Sequence, residues 1–207
     1  MRSRSSLMPS LAVLALALTA SAASAAPAGL GLGIHGGYGA SGDAESGSPL
    51  LGAQVELRPA AMLGFVGSIA YKLDEDFAVT PAGGERMEYQ AYSVPVSAMA
   101  RLYLPLSAFT PYATAGAQWR YIGYDFGDLE ESIENLEADD SDSAFGWLLG
   151  AGAEFASSSR LAMFMEARFE FIDADRDLGN ADLASAEDFD YDQWSVVVGI
   201  TLYFGGE

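Results

Sequence analysis

Apolar residues alternate with small or polar ones along eight separate segments of this chain. The last segment shows the pattern most plainly. From Trp194 to Phe204 one face carries Trp194, Val196, Val198, Ile200, Leu202 and Phe204, and the other carries Ser195, Val197, Gly199, Thr201 and Tyr203. A period of two is the signature of a β-strand, whose successive side chains point to opposite faces. The segment has the length of a tilted strand crossing a bilayer, about 9–11 residues. An aromatic stands at each end of its apolar face, where two water interfaces would lie.

The same alternation predicts strands over Gly29–Tyr38, Leu50–Arg58, Met62–Leu73, Tyr89–Leu104, Pro111–Tyr124, Ala144–Phe155 and Leu161–Ile172. Pro95 interrupts the fourth, because proline donates nothing to a ladder. It marks either a bulge or a later strand start. Short turns separate strands two and three (Pro59-Ala60-Ala61), four and five (Pro105 to Ala108), and six and seven (Ser157 to Ser159). Longer loops fall at Ala40–Pro49, Asp74–Glu88, Asp125–Ser143 and Asp173–Asp190. Alternating short turns and long loops is the connectivity of an outer-membrane barrel, with the turns periplasmic and the loops extracellular. Tyr38, Tyr71, Tyr92, Trp119, Tyr121, Trp147 and Trp194 then form a girdle near the outer interface.

The central spans of the eight apolar faces carry no Asp, Glu, Lys or Arg. A water-soluble barrel would place its charges there. In a membrane barrel a basic residue at mid-depth on that face costs about 2–4 kcal/mol, so lipid enforces the absence. The opposite faces carry Glu56, Arg58, Lys72, Arg101, Arg120, Glu154, Glu166, Arg168 and Glu170. An eight-stranded barrel is just wide enough for its own side chains to fill, and buried charges need partners. The inward set therefore reads as an interlocked salt-bridge core plugging the lumen. A gated ion path is the alternative reading.

The N-terminus has the layout of a secretory signal. Arg2 and Arg4 form a basic start, Leu11 to Leu18 an apolar core, and Ala23-Ser24-Ala25 a cleavage site near Ala25/Ala26. That core is too short for a membrane-spanning helix. The domain reading is a signal peptide over residues 1–26 and one barrel domain over 27–207. The absence of cysteine rules out disulfides, thiolate metal sites and a lipidated N-terminal cysteine. The net charge of −19 excludes nucleic acid as a partner.

The whole mature chain resembles the small eight-stranded outer-membrane β-barrel proteins, of the OmpX, OmpA-barrel and opacity-protein kind. The signal, the eight alternating strands, segments such as Phe145 to Phe155, and the final strand carry the likeness. In that strand Gly199 is followed by Leu202 and Phe204, as in the terminal assembly signal of such barrels, with Val197 and the trailing Gly205-Gly206-Glu207 as departures. The resemblance implies an all-β, antiparallel transmembrane barrel in the Gram-negative outer membrane. It implies lipid, lipopolysaccharide and the outer-membrane assembly machinery as partners. It names no activity, since the family includes adhesins, complement-evasion proteins and structural anchors. The expectation is a monomer without cofactor, acting as a porin-like structural or surface-interaction protein. A small pore and a lipid-modifying enzyme are the alternatives.

Enzyme chemistry finds little to stand on. His35 is the single histidine and points inward among glycines, where it reads as a hydrogen-bonded lumenal residue. A hydrolase needs a nucleophile, a base and an orienting group in reach of one another. Most of the 29 acidic residues fall in the four long loops, whose cations are Arg86 and Arg176. The third loop holds a capping pair, Asp128 and Glu131, ahead of Leu129, Ile133 and Leu136 on one helical face. That short helix either rests on the barrel mouth or offers a surface to an extracellular partner. Asp173-Ala-Asp175-Arg-Asp177 places oxygen ligands at alternate positions, but Leu178 and Ala184 stand where an EF-hand needs Gly and Glu. Asp139, Asp140, Asp142, Asp173, Asp175 and Asp177 are candidate contacts for a loosely held divalent ion. A solvated, repulsive surface is the equal alternative.

Overall fold

The computed structural model describes residues 29–42, 44, 46–79, 87–104, 106, 109–125, 141–173 and 192–204. The expected signal segment, the helix expected in the third loop and Gly205 to Glu207 lie outside them. Eight antiparallel strands run in chain order: β1 (Gly29–Ser41), β2 (Ser48–Ala60), β3 (Leu63–Val79), β4 (Met87–Tyr103), β5 (Phe109–Asp125), β6 (Ser141–Ala156), β7 (Leu161–Asp173) and β8 (Gln193–Phe204). Each pairs with its neighbours, and β8 returns to β1 to close the barrel. Closure leaves no edge strand unpaired, which lipid would not tolerate.

The alternation sorts as its chemistry requires. Leu32, Ile34, Phe65, Ile69, Phe145, Trp147, Leu149, Val198 and Ile200 are exposed on the outer wall. The charged residues of the opposite faces are buried in the lumen. Aromatic neighbours ring the loop end of the wall. Tyr38 meets Trp194 at 6.3 Å, Tyr71 meets Tyr92 at 5.8 Å, and Tyr92 meets Tyr121 at 6.4 Å between ring centroids. Phe109 and Phe155, 5.2 Å apart, stand near the turn end.

The strands outrun the apolar pattern at the loop end. β3 continues to Val79 and β4 begins at Met87, inside the stretch that the alternation assigns to a loop. Hydrophobic alternation ends where lipid ends, whereas ladder hydrogen bonds continue beyond it. β4 also runs through Pro95, which pairs with Arg120 of β5. On the β3 side the partners pass from Ile69↔Val96 to Lys72↔Ser93, skipping Pro95 and Val94. The register then slips by one residue between Lys72 and Glu75. The bulge therefore sits on β3, beyond the proline. The first turn likewise moves on by one residue, to Ala61-Met62, with Pro59 and Ala60 ending β2.

Several inward glycines give way to rings. A Cβ at Gly31 would lie 3.0 Å from the Tyr203 ring, one at Gly152 2.6 Å from that of Tyr112, and one at Gly199 2.6 Å from that of Phe164. A Cβ at Gly199 would also lie 2.5 Å from the Ile34 carbonyl oxygen, so ring and backbone together dictate that glycine.

Candidate functional site

The lumen holds the site residues, and its two polar clusters are built from different strands. At the turn end, Glu56 and Arg58 come from β2, Arg101 and Tyr103 from β4, Tyr112 from β5, Glu154 from β6, Glu166 and Arg168 from β7, and Tyr203 from β8. Arg58 Nη1 donates to Glu154 Oε1 at 2.6 Å, and its guanidinium lies 3.7 Å from the centre of the Tyr103 ring. Arg101 reaches Glu56 Oε2 at 3.1 Å through Nη1 and Glu166 Oε2 at 2.7 Å through Nη2. Arg168 Nε donates to the other oxygen of Glu166 at 2.7 Å. The tyrosine hydroxyls occupy remaining lone pairs: Tyr103 on Glu56 at 2.6 Å, Tyr112 on Glu166 at 2.8 Å and Tyr203 on Glu154 at 3.1 Å. Three carboxylates thus meet three guanidiniums, with phenols on the remaining carboxylate oxygens, while Arg58 Nε, Arg101 Nε and Arg168 Nη2 find no hydrogen-bond partner among the described residues. Pairing of this kind is what lets buried ions be tolerated.

The second cluster lies toward the loop end. Lys72 Nζ reaches Glu75 Oε2 at 2.6 Å and Gln193 Oε1 at 2.7 Å. Ser41 Oγ donates to the same Glu75 oxygen at 2.8 Å. Arg120 pairs with Glu170, which also accepts from Gln118 Nε2 at 2.9 Å. Ser97 Oγ donates onward to Gln118 Oε1 at 3.0 Å.

All nine charged residues assigned inward from the sequence are brought together in these clusters. Glu75 is the addition: the alternation assigned it to a loop, and the structure buries it beside Lys72. The one-residue bulge between Lys72 and Glu75 reverses the phase of β3, so Glu75 and Phe77 point inward. The readable signal was Phe77, an apolar residue two positions after Glu75 in an acidic run. With Glu75 included, five cations face five carboxylates, each residue at most 8 % exposed.

Apolar side chains fill the lumen between the clusters. Val66, Met99 and Leu148 form one group, and Leu50, Ala70, Phe164 and Val197 another. Along β4, Met99 stands between Arg101 and Ser97; along β8, Val197 stands between Thr201 and Ser195. His35 is inward and buried, but neither ring nitrogen has a hydrogen-bond partner among the described residues. Its ring lies against Gly52, where a Cβ would come within 2.5 Å of Nε2. A glycine surface offers that ring no side-chain acceptor, which corrects the expectation of a hydrogen-bonded histidine.

Of the six candidate metal contacts, Asp139, Asp140, Asp175 and Asp177 lie outside the described residues. Asp142 stands near the start of β6 and accepts the Ser143 N–H at 2.6 Å. Asp173 ends β7, its backbone opposite Phe145. Among the described residues no three His, Asp or Glu side chains gather as a metal site. At the same rim Asp192 ties two strand ends together. Its carboxylate accepts from Ile172 N at 3.0 Å, and its carbonyl accepts from Gly42 N at 2.8 Å.

Comparison with known proteins agrees with this geometry. The barrel is similar to the outer membrane protein OprG of Pseudomonas aeruginosa, with a TM-score of 0.64 and 14% identity over 88% of this chain and 100% of that one. It is similar to Neisserial surface protein A, with a TM-score of 0.55 and 13% identity over 86% and 98% of the two chains. Outer membrane protein W of E. coli aligns with a TM-score of 0.51 and 16% identity over 86% and 99%. No curated protein sequence matches the chain. The model of the outer membrane protein β-barrel domain matches residues 10–201, and the chain belongs to that family.

Proposed function

We propose that this outer-membrane barrel acts without catalysis, as a surface-interaction protein of the adhesion type, standing as a monomer with its acidic loops outward. One observation carries the reading: ten buried charges close into four cation–carboxylate sets, with apolar residues filling the lumen between the clusters. A lumen so filled serves as a rigid strut, and an eight-stranded barrel has little room for water besides. What is left to meet a partner is the rim, where Asp76, Asp142 and Asp192 sit at strand ends and accept hydrogen bonds that fix them. The similar Neisserial barrel is named a surface protein. Residues 1–26 act as the export signal and are removed, and N-terminal sequencing of protein from outer membranes tests this by starting near Ala26 or Pro27.

Single-channel recording in planar bilayers tests the strut against the pore. The pure protein is expected to give no steady conductance. Reproducible openings that scale with protein added would overturn the reading.

A further inference from the structure

We propose that Tyr92 and Tyr121 form an oxidative crosslinking site at the loop end of the barrel, where they couple to a dityrosine that staples β4 to β5. The pair stands on the outer wall with both residues partly exposed. The ring centroids are 6.4 Å apart and the planes are tilted by 51°. The two side chains are hydrogen-bonded to one another through their hydroxyls. A phenoxyl radical carries much of its unpaired electron on the two ring carbons that flank the oxygen-bearing carbon. Two such radicals couple through those carbons, and the product is a biaryl whose hydroxyls sit side by side. Hydroxyls already in contact bring the reacting carbons together beforehand, which is the gain that proximity and orientation supply.

The register holds the pair in place. Tyr92 lies opposite Gly123 of β5, and Tyr121 opposite Val94 of β4. A Cβ at Gly123 would come within 2.3 Å of Tyr92 Cζ and 2.5 Å of its hydroxyl oxygen. Gly123 is thus the floor on which the end of the Tyr92 ring rests. From β3, Tyr71 meets Tyr92 at 5.8 Å with the planes 28° apart. That near-parallel stack sets ring face to ring face. The new bond forms between ring edges, so the geometry favours Tyr121 over Tyr71.

A second pair shows what the site needs. Tyr103 and Tyr112 are closer, with centroids 5.2 Å apart. Both are buried in the lumen, and their hydroxyls donate to different carboxylates, Glu56 and Glu166. Burial shields that pair from an oxidant, and the two carboxylates hold its hydroxyls apart. The chain has no cysteine, so a disulfide staple is not open to it. The coupling balances with a peroxidase and hydrogen peroxide as the oxidant. Each phenol gives up one electron and its hydroxyl proton. The radicals form one carbon–carbon bond, and the hydrogen on each coupling carbon passes to oxygen, which restores both hydroxyls. The electrons and protons released reduce one peroxide to two waters.

The test exposes the full chain, folded one barrel to a phosphatidylcholine nanodisc, to horseradish peroxidase and hydrogen peroxide. Dityrosine fluorescence should rise. Mass spectrometry of proteolytic fragments should find Tyr92 joined to Tyr121, the joined peptides lighter by two hydrogens. Tyr92→Phe and Tyr121→Phe should each abolish that crosslink while the barrel keeps its folded mobility on gels. Gly123→Ala keeps both phenols and asks only a ring end to move, so the barrel should fold. The displaced ring should lower the yield about tenfold, within the ~10²-fold that a misplacement of about 1 Å can cost. Tyrosine oxidation without the crosslink would overturn the site. So would a crosslink from Tyr92 to Tyr71 or from Tyr103 to Tyr112 in its place, or a yield that Gly123→Ala leaves unchanged.

Discussion

Arg101 and Glu166 join separate parts of the lumen wall: Nη2 of the arginine on β4 donates to Oε2 of the glutamate on β7 at 2.7 Å. Each is a hub. Arg101 also binds Glu56, and Glu166 also takes Arg168 and Tyr112. Glu166→Gln removes the charge that answers two guanidiniums and leaves both buried. Breaking a buried pair in this way costs about 3–5 kcal/mol. Urea unfolding in lipid vesicles should show that loss, and a change under about 1 kcal/mol would mean the ions are not desolvated. The double replacement Arg101→Met with Glu166→Leu should recover part of the stability, because it removes a charge of each sign together.

Glu75 and Asp76 are neighbours in an acidic run but face different media. Glu75 is buried against Lys72 and Ser41, while Asp76 is exposed and accepts from Gln90 Nε2 at 2.9 Å. Glu75→Ala strands Lys72 and should cost about 3 kcal/mol. Asp76→Ala should stay within about 0.5 kcal/mol of the parent protein. Equal costs would mean that the bulge does not turn Glu75 inward in the membrane.

These two residues also show where sequence reading reaches its end. The lipid-facing faces were legible because a charge there is expensive, so the alternation is enforced residue by residue. The bulge on β3 obeys no such rule. It costs one register step, and nothing in Leu73-Asp74 announces it. The cation–carboxylate composition of the lumen was legible from Glu56 to Glu170, Glu75 excepted. The phenol shell was not, since Tyr103, Tyr112 and Tyr203 find their carboxylates 47, 54 and 49 residues away in the chain. Those pairings depend on barrel closure and register, which alternation alone leaves open.

Crowding dictates the glycine at Gly116 and does not at Gly67. At Gly116 a Cβ would press to 2.3 Å from the Ala98 carbonyl oxygen and 2.8 Å from Met99 Cα. Gly116→Ala should therefore destabilise by about 1–3 kcal/mol, the usual cost of overpacking. Gly67→Ala meets no atom and should stabilise by about 0.5–1 kcal/mol through the lost backbone freedom of the unfolded chain. Paired unfolding curves read both signs in one experiment.

Phe204 and Val198 share the outer face of β8 at different depths. Phe204 ends the strand opposite Leu30, whereas Val198 lies at mid-strand and is about half exposed on the lipid side. A charge at the interface costs about 0–1 kcal/mol, and a basic one at mid-depth about 2–4 kcal/mol. Val198→Arg should accordingly lower the stability of refolded barrels by that larger amount. Phe204→Asp should leave refolded stability nearly unchanged, so any failure to reach the outer membrane in cells must come from recognition of the terminal residue. Heat-modifiable mobility of outer-membrane fractions reads folded protein directly. A sharp drop for Phe204→Asp, with normal levels after removal of Gly205-Gly206-Glu207, would place the assembly signal at Phe204. Normal assembly of Phe204→Asp would move the signal elsewhere in the chain.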